Sequence, residues 1–133
     1  MSAHTKLNPG SLPRPAGFTH GIVAQGSRLL FVAGQIGCDK EGVLAPGGLV
    51  PQFDKAIENI LVVVGAAGGT PESITRMTIY TCDMAGYRKS LPALGAVWRP
   101  RMGKHYPVMA VVEVKSLFDP GAVVEIEATA ALP

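Results

Sequence analysis

The residues of this chain best suited to proton chemistry are carboxylates near its C-terminus. Glu113 stands in PVMAVVEV (residues 107–114), and Glu125 and Glu127 stand in AVVEIEATA (residues 122–130). Both segments are rich in β-branched residues and read as strands joined by a turn at Asp119, Pro120 and Gly121, with the spacing of an antiparallel pair. Alternation puts Ala110, Val112 and Val114 on one face of the first strand, and Val124, Ile126, Ala128 and Ala130 on one face of the second. Those faces are expected to lie under helices. Met109, Val111 and Glu113, with Val123, Glu125, Glu127 and Thr129, then project from the other side. Carboxylates on an uncovered sheet are ordinarily solvated and inert. Here the interleaved Met109, Val111 and Val123 make the face apolar enough to be an association surface. Acids at such a seam must be hydrogen-bonded, paired or raised in pKa, and a carboxylate so treated is suited to act as a general base.

The other reactive side chains form no recognisable constellation. His4, His20 and His105 lie at unrelated spacings without an HxH or HExxH element, so no metal is expected. Cys38 and Cys82 fall outside any CxxC spacing and read as two buried free thiols of a reducing compartment. The glycines of GAAGG (residues 65–69) follow a helix rather than opening one, so they read as a C-cap and turn, not a phosphate cradle. No cofactor is expected.

The elements that must position these groups can be read from the rest of the chain. Its 133 residues, 47% hydrophobic and 17% charged, are enough for one core and one domain. Residues 1–17, broken by Pro and Gly, read as an extended N-terminal arm, and residues 18–133 as the single domain. Strands are expected from about Thr19 and over Arg28 to Ala33, followed by turn chemistry in CDKEGVLAPGG. Leu49, Phe53, Ile57, Ile60, Leu61 and Val64 recur at helical spacing, and Ile74 to Thr81 alternates as a strand. A second helix is expected from about Ala85 to Arg99, with Pro92 either kinking it or setting its start near Leu91. The formal charge of +2 and eight scattered aromatic residues give neither the field nor the stacking platform of a nucleic-acid binder. No apolar run approaches a membrane span and no secretory signal opens the chain, so a cytoplasmic location is expected.

The element order, with LLFVAGQIG, FDKAIENILVVVGAAGG, ITRMTIYTCDM and HYPVMAVVEVKSLFDPGAVVEIEATA in sequence, resembles the RidA (YjgF) family from about Gly17 onward. The resemblance implies an α+β, chorismate-mutase-like fold, a mostly antiparallel sheet with two helices packed on one face. It also implies a homotrimer with a ligand cleft at each subunit interface. The characterised branch hydrolyses enamines and imines to ketoacids and ammonia. There an arginine two residues after the strand proline grips the substrate carboxylate; the matching residue here is Met109, whose thioether offers no charged donor. Ala33 replaces the family's serine, Leu91 falls at its asparagine, and Thr19 or His20 at its early tyrosine. Glu125 matches the glutamate that orients or activates the attacking water, and Glu113 has a counterpart with a structural role.

Two readings follow. In the first, the protein hydrolyses an enamine or imine whose recognised part is apolar or neutral, with Glu125 as catalytic residue. Met109, Val111 and Trp98 then line the cleft, His105 stands near its mouth as a proton shuttle, and Arg101 or Lys104 of a neighbouring subunit replaces the missing arginine. In the second, a trimer of the same fold binds a small molecule without turnover. A ribonuclease or translation-inhibitor role finds little support, because no His pair and no basic stripe is present.

Overall fold

A computed structural model of the chain describes residues 4–133. Four strands form the main sheet: β3 (Arg28–Ile36), β4 (Ile74–Thr81), β5 (Val108–Glu113) and β6 (Val124–Leu132), after a small pair β1 (Thr5–Leu7) and β2 (Gly21–Val23). The helices are α1 (Leu49–Ala66), α2 (Met84–Lys89) and α3 (Leu91–Met102). From the arm, β1 pairs antiparallel with β2 of the following domain, Lys6 opposite Ile22; residues 1–3 of the arm lie outside the described residues.

The α1 helix follows from its apolar stripe. Phe53, Ala56, Ile57, Ile60 and Val64 are buried against the sheet, each large side chain contributing roughly 1.5–3 kcal/mol of burial. Two polar side chains of α1 fix its neighbours. Gln52 is buried; its Nε2 donates to the Gly121 carbonyl at 3.2 Å and its Oε1 accepts from the Val123 N–H at 2.9 Å, pinning the loop that enters β6. Asn59 Nδ2 donates to the carbonyls of Ile36 and Cys38 at the end of β3. At Gly37 the chain runs so close to α1 that a Cβ would stand 2.2 Å from the Gln52 carbonyl oxygen.

The sheet order is β3-β6-β4-β5. The expected antiparallel hairpin of the last two strands does not form: β6 runs antiparallel between β3 and β4, while β5 pairs parallel with β4 at the sheet edge. Burial accounts for this. Val124, Ile126 and Ala130 are completely enclosed, which requires a central strand, whereas Ala110 to Glu113 are exposed, as an edge strand allows. The segment from α2 through α3 supplies the long crossover that a parallel pair requires.

Parallel pairing also reverses the expected parity of β5. Met109 and Val111 stand opposite Met77 and Ile79, which are buried under the helices, so they belong to the helix side. Ala110 and Val112 fall beside Thr78 and Tyr80 on the open face. Glu113 leaves that face too: its carboxylate accepts the Met84 N–H at 3.1 Å, at the first residue of α2. Glu125 and Glu127 do project from the open side, opposite Tyr80 and Thr78.

The predicted single second helix is two. Asp83 caps α2, accepting the Gly86 N–H at 2.9 Å, and the chain then breaks at Ser90 and restarts with Pro92 in the first turn of α3, where its missing N–H costs nothing. The architecture is therefore α+β, a mostly antiparallel sheet carrying α1 and α3 on one face.

Candidate functional site

Two features of different chemistry occupy the two sides of this sheet. The first is a cavity of about 310 Å³ on the helix side of the β5 edge, between β5, the α2–α3 segment and residues 16–18. Of the predicted residues, Met109, Val111, Leu91 and Trp98 all line it. The aromatic residues missed by sequence reading, Phe18, Phe53, Tyr87 and Tyr106, complete much of its wall. Trp98 stacks on Tyr106 with centroids 5.8 Å apart and planes 5° from parallel, while Phe53 meets the edge of Tyr87 at 6.2 Å. Among the described residues, none that lines the cavity carries a formal charge.

Neighbouring predicted residues serve elsewhere. Thr19 is buried and donates its hydroxyl to the Tyr106 carbonyl, and its N–H bonds the Pro107 carbonyl at 3.1 Å. It ties the early segment to the entry of β5, but Phe18, one residue before it, is what reaches the cavity. His20 turns to the arm, its Nε2 2.7 Å from the Pro13 carbonyl oxygen. His105 is not at a cleft mouth: it is 4% exposed, bonds the Ile74 carbonyl at 2.7 Å, and receives the Trp98 Nε1–H on its own carbonyl at 3.2 Å. Burial pulls its pKa below the ordinary value, so it is held neutral as a structural residue. Arg101 is committed within its own subunit, its Nε 2.6 Å from Asp54 Oδ1. Lys104 borders a separate surface depression with His4, Lys6 and Glu72.

The second feature is the acid on the open face. Pairing of β3 with β6 is interrupted by a bulge between Val32 and Gln35, which includes Ala33 and Gly34. Glu125 lies across that bulge so closely that a Cβ on Gly34 would stand 2.0 Å from its Oε2. The absence of a side chain there is what lets the carboxylate rest on the backbone. Beside it, Tyr80 donates its hydroxyl to Glu127 Oε2 at 3.0 Å, and that bond, with the field of both carboxylates, raises the Tyr80 pKa. The same face exposes Phe31 (74%) and Leu29 (64%), an apolar patch of the kind partners cover. Ala33 is on this side of the site, not in the cavity wall. Cys38 and Cys82 are free and half-buried, and among the described residues no cluster of His, Cys, Asp or Glu could hold a metal.

A sequence model of the family described as Endoribonuclease L-PSP matches residues 11–132. A RutC family protein of Pyrococcus horikoshii is 32% identical over 119 residues, 89% of this chain and 90% of the relative. The chain belongs to the RidA (YjgF) family. A RidA-family relative of Capra hircus, a 2-iminobutanoate/2-iminopropanoate deaminase, is 31% identical over 77% of this chain and 72% of its own. The solved structure of a Rid-family protein of unknown function from Yersinia pestis superposes with a TM-score of 0.87 at 28% identity, covering 97% of this chain and 98% of that one. A Mycobacterium tuberculosis member of the YjgF/YER057c/UK114 family superposes at 0.64 and 29% identity, covering 98% and 100%. These likenesses accord with the chorismate-mutase-like fold. No helix among the described residues is long and apolar enough to cross a membrane.

Proposed function

We propose that the protein is a hydrolytic deaminase of an enamine or imine whose buried part is uncharged, working as a homotrimer in the cytoplasm. The observation that carries this reading is the split between the two features. Among the described residues the cavity offers shape and apolar contact but no acid or base suited to neutral pH: burial pushes the Tyr87 phenol up to about 12. Glu125 stands across the sheet, beside an exposed apolar patch. A neighbouring copy seated on the open face would bring its cavity to this subunit's Glu125, and the trimer implied by the family resemblance makes three such clefts. The deaminase relative supports the reaction class.

In the cleft, Glu125 accepts a proton from water as its oxygen adds to the carbon of the C=N bond, and passes that proton to nitrogen, giving a neutral carbinolamine. Glu125 then takes the proton of the new hydroxyl and delivers it to nitrogen as the C–N bond breaks, which releases ammonia and leaves the carbonyl. Met109 in place of the family's arginine removes the bidentate clamp for a carboxylate, so the 2-imino acids of the deaminase relatives are poor ligands here. A non-catalytic binding trimer is the second reading, and the uncharged cavity favours it. The two are separated by ammonia release from imines generated in situ by an amine oxidase. Wild type is expected to release ammonia, and Glu125→Ala to lose about 10²–10⁴-fold, the usual worth of a positioned general base. Equal rates remove Glu125 from the mechanism, and no release from any imine leaves the binding reading.

A further inference from the structure

Tyr87 is the single buried side chain of α2, 8% exposed and bordering the cavity. Among the described residues its hydroxyl has no hydrogen-bond partner, and desolvation alone shifts its titration. Yet it is not sealed in, because no side-chain polar atom of the described residues is both enclosed and unsatisfied. The other polar groups of the wall are differently placed. The Trp98 N–H is spent on the His105 carbonyl, and Tyr106 is only half-buried, open to water. The helix carrying Tyr87 is held from both sides: Asp83 accepts the Gly86 N–H, and Glu113 of β5 accepts the Met84 N–H. That gives Glu113 its role, because it fixes the first turn of a six-residue helix that could not hold itself in place.

A buried phenol that stays protonated, rigidly mounted and unpartnered is a hydrogen-bond donor awaiting an acceptor. A carboxylate is disfavoured as the acceptor, since among the described residues no cation of this chain lines the cavity to offset its desolvation. Stacked and edge-on aromatic walls suit a planar ring. We infer that Tyr87 is the specificity-determining anchor of this cavity, donating to a neutral carbonyl oxygen or imine nitrogen on a ring-bearing ligand. This rests on the cavity being the ligand site, but not on turnover.

Equilibrium binding of a matched set to the purified full chain tests it: acetophenone, its alkene isostere α-methylstyrene, and benzoate. Wild type is expected to bind acetophenone about tenfold more tightly than α-methylstyrene, the order expected of one neutral hydrogen bond, and benzoate not measurably. In Tyr87→Phe the ketone preference disappears while α-methylstyrene binds as before, which also reports an intact cavity. A wild-type ratio near one, tighter binding of benzoate, or a ketone preference that survives Tyr87→Phe overturns the inference. Should the variant lose the alkene as well, the wild-type ratio decides. Failure of the deaminase reading shows separately, as absent ammonia release with these binding preferences intact.

Discussion

Gly34→Ala perturbs Glu125 without touching it chemically. The new Cβ would lie 2.0 Å from Glu125 Oε2, 2.9 Å from Cδ and 3.1 Å from Cγ. Side-chain carbons do not approach heavy atoms within 3.0 Å, so the oxygen must retreat by at least 1.0 Å, the difference between 3.0 and 2.0 Å. Glu125 is on the open face and its carboxylate is the flexible end of the side chain, so it can swing away at little cost. We expect a loss of stability under about 1 kcal/mol, a strain-relieved substitution rather than a core clash. Catalysis is less forgiving, because a misplacement of about 1 Å can cost on the order of 10²-fold. Ammonia release from an accepted imine, followed with a coupled glutamate dehydrogenase assay, should therefore fall about 10²-fold while the urea midpoint barely moves. Activity within about threefold of wild type at unchanged stability would refute the claim that the bulge sets the working position of the acid.

Two further outcomes concern the frame around the site. Trp98→Ala removes a 5%-exposed ring packed between Phe53 and Tyr106 and strips the His105 carbonyl of its donor. It should cost about 3–5 kcal/mol in urea unfolding. His105 makes stability pH-dependent in a definite direction. Burial holds its pKa below 6.5 despite the bond to the Ile74 carbonyl, with Lys6 and His4 opposing protonation and Glu72 favouring it. Below pH 6.5 the unfolded chain takes up a proton that the fold resists, so stability falls as pH drops from 6.5 toward the folded-state value and is level above it. His105→Gln should flatten that slope in thermal melts between pH 5 and 7.5; an unchanged slope assigns it to other groups.

The elements with strong periodic contrast were legible in the sequence. The stripe from Phe53 to Val64 and the alternation of Val124 through Ala130 appear in the structure on the faces expected. What failed was contrast. In β5 both faces are apolar, Met109 and Val111 against Ala110 and Val112, so a period of two carries no sign, and only the pairing partner decides which face turns inward. The partner differs from the one expected because the turn signal at Asp119, Pro120 and Gly121 between two apolar runs invites a hairpin, while the enclosure of β6 between β3 and β4 depends on contacts distant in sequence. Phe18 was missed by one residue because its segment is irregular and has no period to fix a register. His105 departs from expectation because nothing local distinguishes a loop histidine on the surface from a buried one whose ring bonds the Ile74 carbonyl. Tyr87 was visible as a helix residue, but its unpartnered hydroxyl is a property of the packed molecule alone.

The central claim, that one subunit's cavity works with another's acid, is tested most directly by mixing two inactive variants. Glu125→Ala removes the acid. Gly95→Phe adds a ring to the cavity wall at a position where a Cβ meets the Arg99 guanidinium at 3.8 Å, an ordinary contact. Co-expressed in equal amounts, the subunits assort at random, and a site built across the seam of a closed ring has both parts intact in about one case in four. Recovery of about a quarter of wild-type ammonia release is the predicted result, and mixed assemblies as inactive as either variant alone would contradict the account.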